Sequence, residues 1–278
     1  MRIRLRHQRA ARGCGGVPGE AAAALRSAAL RIKAVTVDFW GTLLFDTPSS
    51  DNRYKRRRMA DFETILSGIG VKATASALDR AYDGSGSYLA RIWERNRDVP
   101  VSEHVRAILG AVHPGLPARV PADIMSALVE AYARPVLLVP PAIDDGARPA
   151  LERLRAQGIA LALLSNTMRT PGRTLRTLLE RSGLLGLFAH ATFSDEVGVR
   201  KPDPQIFALT LRALGVEPGA AVHVGDDPIL DVFGGRRAGL RVIQVTSASL
   251  EALGAQRPDA VVPSLATLAD AVARLDSA

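Results

Sequence analysis

The stretch KAVTVDFWGTLL, residues 33–44, decides how the chain is read. Ala34 to Val37 is mostly apolar instead of alternating, which suits a strand covered on both faces. Asp38 follows at once, so a carboxylate stands at the strand's tip. Gly41, three residues on, lets the backbone turn sharply there.

Working outward, similar runs recur. Ile159 to Leu164 leads into Ser165, His190 to Phe193 is a shorter run, Ala221 to Val224 leads to Gly225-Asp226, and Arg241 to Val245 is the last clear strand. Helical patterns separate them. Residues 147–157 put Leu151 and Leu154 on one face and stop at Gly158, and 204–214 begin with Pro204 and line up Phe207, Leu211 and Leu214. Strand and helix in alternation predict an open, parallel α/β sheet with right-handed crossovers.

Residues 47–138 break the alternation. They hold no convincing strand but four helical stretches, around 52–68, 75–95, 101–111 and 121–134, bounded by Pro48-Ser49-Ser50 and Pro140-Pro141. The segment reads as an all-helical insert over the carboxyl ends of the strands, where open α/β sheets bind ligands. The predicted domains are therefore a leader at 1–32, a core at 33–46 and 139–278, and a helical cap at 47–138.

Composition limits the functions available. Across 278 residues, 47% hydrophobic and 23% charged content describes a globular protein. No apolar run reaches the roughly 18 residues of a membrane span. The single cysteine, Cys14, excludes a disulfide framework and points to a reducing cytoplasm. Of the net charge of +8, residues 1–33 hold +7, eight cations against Glu20 alone, so the rest is nearly neutral and offers no basic face for nucleic acid. The leader is rich in Arg and Ala and poor in acids, as transit peptides are; it reads as a disordered extension or a basic arm.

Four motifs fall at strand ends. Asp38-Phe39-Trp40-Gly41-Thr42 is the first. Ser165-Asn166 offers a hydroxyl and backbone N–H groups to phosphate oxygens. Lys201-Pro202-Asp203-Pro204 holds a positive point charge on a restricted backbone. Gly225-Asp226-Asp227 with Asp231 gathers acids that repel unless a hard divalent cation joins them.

In that order the four motifs resemble the haloacid dehalogenase-like hydrolase superfamily, over residues 33 to about 270. The resemblance implies a Rossmann-like, doubly wound core of five or six parallel strands with a helical cap inserted after the first motif. It also implies roles. Asp38 is the nucleophile that forms a covalent aspartyl intermediate, Thr42 steadies the loop, and Ser165 and Asn166 hold the transferring oxygens. Lys201 neutralises charge. Asp38, Asp226 and the Trp40 carbonyl hold Mg²⁺, while Asp227 and Asp231 orient metal waters and Lys201.

One position departs from the pattern. Most phosphatases of this superfamily carry a second Asp two residues after the nucleophile, as general acid and base; here that residue is Trp40. Its carbonyl can still serve a metal, but its side chain donates no acid proton, a loss of about 10²–10⁴ in rate. Three functions follow: a Mg²⁺-dependent phosphatase acting on a small phosphorylated metabolite, as a monomer or homodimer; a slow or non-catalytic phospho-ligand-binding protein; or a 2-haloacid dehalogenase-type hydrolase. The dehalogenases are metal-free and have fewer acids in the fourth motif, so the acid-rich motif favours the first.

In the cap, Arg53 and Arg57 share a helix face and are expected to meet an acidic substrate tail. Trp93 is expected in the cap's core, His223 as a packed strand residue, and His104 or His113 as the substitute proton donor.

Overall fold

A computed structural model describes residues 31–47, 49–246 and 257–277. The leader lies outside the described residues except for its end. There the expected boundary shifts: Ile32 is fully buried in the core and donates its N–H to Asp276, so the core includes it.

Six strands form one parallel sheet: β1 (Ala34–Val37), β4 (Ala160–Ser165), β5 (His190–Phe193), β6 (Ala221–Gly225), β7 (Arg241–Val245) and β8 (Ala260–Val262), in the order β5-β4-β1-β6-β7-β8. Val37 lies opposite Leu163 on one side and Val224 on the other. Asp38, Ser165 and Asp226 therefore leave neighbouring strands at the same edge, where the order reverses about β1.

The pleat divides the core. Val35 and Val37 of β1, Val222 and Val224 of β6, and Ile243 pack with Leu151 and Leu154 of α7 (Ala147–Ala156), Leu175 and Leu178 of α8 (Gly172–Arg181) and Val272 of α12 (Leu268–Ser277). Ala34 and Ala221 face the other way, toward Ile206, Phe207 and Leu211 of α10 (Pro204–Leu214). Asp203 caps α10 by accepting from Gln205 N–H. Single turns α9 (Ser194–Val197) and α11 (Gly234–Arg237) complete this layer, with a π-helical stretch at Pro228–Phe233 that carries Asp231.

Between the short strands β2 (Leu44–Phe45) and β3 (Ala142–Ile143), which pair antiparallel, the chain builds a helical layer. It comprises α1 (Ser50–Gly68), α2 (Ala75–Trp93), α3 (Val101–Val112), the turn α4 (Leu116–Arg119), α5 (Ala122–Ala133) and the turn α6 (Pro135–Leu138). Phe62, Leu66, Leu78, Val105, Ile108, Leu109, Leu128 and Tyr132 form a hydrophobic cluster of their own there. Among the described residues no helix is long and apolar enough to cross a membrane.

Candidate active site

Lys201 organises the strand tips. Its buried ammonium donates to Asp38 Oδ1 at 2.5 Å and to Asp231 Oδ1 at 2.6 Å. Its backbone is clasped by the Asn166 side chain, which accepts from Lys201 N–H at 2.9 Å and donates to the Lys201 carbonyl at 3.1 Å. One residue thus spans β4, β1 and the fourth motif. Asn166 acts here through its side chain, on the lysine, a use that its expected backbone role did not include.

Behind Asp231 stands His223, also fully buried. Its Nε2 lies 2.9 Å from Asp231 Oδ1 and its Nδ1 2.8 Å from Thr36 Oγ1. A carboxylate only accepts, so the Nε2–H donates to Asp231 and the Thr36 hydroxyl donates to Nδ1. The histidine expected to be mere packing is a link in the chain Thr36, His223, Asp231, Lys201, Asp38.

Asp38, Asp226 and Asp231 bring carboxylate oxygens within 4.8 Å of one another. Two glycines make room for them. A side chain on Gly41 would put Cβ 2.4 Å from Asp226 Oδ2, at a φ of +77°, and one on Gly225 would meet the Asp231 carboxylate at 2.2 Å. Thr42 Oγ1 donates to Asp226 Oδ1 at 3.1 Å, and Gln244, which sequence reading missed, donates to the Asp226 carbonyl. Asp227 spends its Oδ1 on the N–H groups of Ile229 and Leu230, starting the π-helical stretch. Ser165 is buried at the end of β4 and makes one long bond, 3.4 Å, to the Asn166 carbonyl.

One ammonium does not balance three crowded acids. Burial, with Asp231 nearby, pushes Asp38 up to about 8 against the pull of Lys201. Burial and Asp231 also raise Asp226. Asp231 is itself subject to the penalty of burial, but Lys201 and His223 hold it below the ordinary range. A surplus of hard oxygen donors fits a hard divalent cation. The Trp40 carbonyl fits too: the bridge from residue 40 to Leu44 uses the Phe39 carbonyl and the Gly41 N–H, and leaves that oxygen out.

A cleft of about 460 Å³, within the range of small-ligand sites, reaches the first motif at Trp40 and Gly41. Trp40, Tyr54, Tyr82 and Trp93 line it, with Arg58 and Arg169. Trp93 is thus a cleft residue, contrary to the expected cap-core placement. Trp40 packs edge-on to Phe39, and its buried Nε1 has no hydrogen-bond partner among the described residues.

The cap cations expected to face substrate point elsewhere. Arg53 is exposed and bonds Thr47, and Arg57 is exposed and pairs with Asp61. Arg58 turns inward instead. Tyr54, Arg58, Phe62 and Leu66 recur every four residues on the buried stripe of α1, and Arg57 lies one residue, about 100°, off that stripe. A cation in register with the apolar series was the available signal. Arg58 donates to the Tyr132 carbonyl, Tyr82 Oη, the Arg169 carbonyl and Thr170 Oγ1. Arg169 donates to Ser85 and Tyr132 hydroxyls and stacks over Tyr82 at 4.1 Å. Neither forms a salt bridge among the described residues.

Neither His104 nor His113 lines the cleft. Burial, reinforced by nearby guanidiniums, lowers His104 to about 3, which leaves it neutral at physiological pH. His113 is exposed at the end of α3, its Nδ1 accepting from Gly115 N–H.

Comparison with known proteins identifies the family. The family model for haloacid dehalogenase-like hydrolases matches residues 32–239, and the chain belongs to that family. A phosphoserine phosphatase of Thermus thermophilus is 43% identical over 95 residues, 34% of this chain and 37% of that protein. Haloacid dehalogenase-like hydrolase domain-containing protein 3 of Mus musculus is 35% identical over 138 residues, 48% of this chain and 53% of that one. The chain thus matches about half or less of these relatives' length. Among solved structures, a 2-haloacid dehalogenase from Pseudomonas syringae superposes with a TM-score of 0.65 at 25% identity, over 88% of this chain and 99% of that one.

Proposed function

We propose that this hydrolase is a Mg²⁺-dependent phosphatase that acts on a small phosphorylated metabolite through an aspartyl-phosphate on Asp38. The observation that carries the reading is the buried Lys201 ammonium shared by Asp38 and Asp231, with Asp226 alongside as a further acid. Asp38 Oδ1 is occupied by Lys201, and Oδ2 has no hydrogen bond among the described residues, so Oδ2 is the attacking oxygen. It forms the new bond to phosphorus while the ester bond breaks and the leaving oxygen takes the electron pair; water then cleaves the acyl phosphate. Lys201 stabilises the charge gathering on the transferring group. Asp38, Asp226 and the Trp40 carbonyl would hold Mg²⁺, which when bound supplies charge stabilisation to the phosphoryl oxygens. Arg58 and Arg169 take over the substrate-facing role first assigned to Arg53 and Arg57. The helical layer serves as the cap. The single cysteine, Cys14, accords with a cytoplasmic setting for this enzyme.

Trp40 sets the boundary of this function. Its side chain cannot protonate a leaving group, and its N–H is buried, so good leaving groups are preferred. The same residue favours a second reading, halide displacement from a 2-haloacid, for which the likeness to a 2-haloacid dehalogenase also speaks. The acid-rich cation site argues against it.

The test is turnover of p-nitrophenyl phosphate, acetyl phosphate and 2-chloropropionate with and without Mg²⁺. Phosphate release that requires Mg²⁺ and is lost in Asp38→Asn is expected. In Trp40→Asp, poor leaving groups gain, by up to the 10²–10⁴ that a positioned acid typically supplies. Chloride release without metal would overturn the phosphatase reading. Inertness toward all three, with Mg²⁺-dependent binding of a phosphate analogue, would replace it with a non-catalytic binder.

A further inference from the structure

The turn between α2 and α3 leaves the helical layer and runs beside the segment that leads to Lys201. Asn96, at a φ of 54°, adopts the left-handed conformation that asparagine tolerates better than most residues. Arg97 then faces Val199 in an antiparallel bridge. Asp98 N–H donates to the Gly198 carbonyl at 3.1 Å, and Arg200 N–H to the Asn96 carbonyl at 3.2 Å. Arg97 also pairs with Asp203 at 2.8 Å. The turn therefore grips the chain on both sides of Lys201.

Asp98 is the centre of this contact. Its side chain is fully buried and accepts from Trp93 Nε1 at 3.1 Å, Val99 N–H at 2.9 Å, Ser194 Oγ at 2.5 Å and Arg200 Nη1 at 3.2 Å. Ser194 in turn accepts from Thr167 N–H at 2.9 Å, one residue past the asparagine that clasps the Lys201 backbone. Arg200 lies over the Trp93 ring at 4.3 Å, and Trp93 lines the cleft. A single carboxylate from the helical layer thus reaches both loops that place the ammonium. Removing its charge would leave the buried Arg200 guanidinium without its counter-ion.

We propose that Asp98 is a positioning residue for Lys201, joining the seating of the helical layer to the placement of the ammonium on Asp38. A layer that lifts from the sheet must break this contact and loosen the Lys201 segment with it. The proposal rests on the phosphatase reading only for its kinetic consequence.

The test is Asp98→Asn, which keeps the size and removes the charge. With p-nitrophenyl phosphate and Mg²⁺, kcat is expected to fall about 10–100-fold, the cost of displacing a catalytic group by ~1 Å, with KM within about twofold. Hydrogen exchange is expected to speed up at the amides of Thr167 and Arg200 while those of α1 and α3 keep their protection. Leu109→Ala, in the core of the helical layer, serves as the control: it lowers the melting temperature but leaves kcat unchanged below it. Unchanged kcat in Asp98→Asn, or exchange that rises across the whole layer, overturns the proposal. If the wild-type chain hydrolyses no phosphoester, the phosphatase reading fails by itself. The exchange measurement still decides, and unaltered protection at Thr167 and Arg200 would sink the positioning role.

Discussion

Gly41 shows how much of the site is backbone. Its positive φ and the 2.4 Å that a Cβ would leave to Asp226 Oδ2 are independent reasons for the missing side chain. Gly41→Ala is expected to cost about 1–2 kcal/mol for the left-handed conformation alone. Pushing Asp226 aside should also weaken Mg²⁺ uptake. Melting curves and calorimetric titration check both effects, and undiminished affinity would show that Asp226 is no ligand. At this scale Asp38, Lys201 and Asp226 were legible because each type has few uses at a strand tip. Arg58 was passed over although it stands in register with Tyr54, Phe62 and Leu66; what the sequence could not show was its distant partners, the Tyr132 and Arg169 carbonyls.

At the scale of elements, α3 carries a buried titratable group that works against acid stability. His104 is held neutral, near 3, whereas the unfolded chain titrates it near 6.5. The unfolded state therefore binds the proton first. Stability from this group is complete above about pH 6.5 and falls toward pH 3, with a slope of up to about 1.4 kcal/mol per pH unit. His104→Gln should lose less stability than wild type between pH 7 and 5, measured by denaturant unfolding at each pH. Parallel slopes for the two proteins would mean that His104 is protonated in the fold. The long helices α1, α2, α3 and α5 were foreseen from their periodicity. The two-residue strands β2 and β3 and the three-residue β8 were not, since such short elements show no period and exist only through their partners.

For the whole molecule, the acid cluster couples strands distant in sequence. Asp38, Asp226 and Asp231 repel one another without a cation, so bound metal should stabilise the fold. At 100 times Kd the gain is about 2.7 kcal/mol, which for a chain of this size raises Tm by roughly 5–10 °C. Chelator should reverse the shift. Asp226→Asn should raise the metal-free Tm, since it removes one repelling charge, and abolish the response to Mg²⁺. A thermal shift that survives this substitution would place the cation elsewhere.

Sequence alone determined the parallel α/β core, the helical insertion and the order of the four motifs, because strand burial, helix phase and turn chemistry are local. Tertiary structure decided which cations face the cleft and that Trp93 lines it. It also decided that His223 and Asp98 belong to the network around Lys201. Those assignments depend on which side chains meet between separate elements, some across more than one hundred residues, as Asp98 meets Arg200 and Lys201 meets Asp38. Burial then makes each meeting obligatory, since an ion or donor shut away from water has only its protein neighbours to bond.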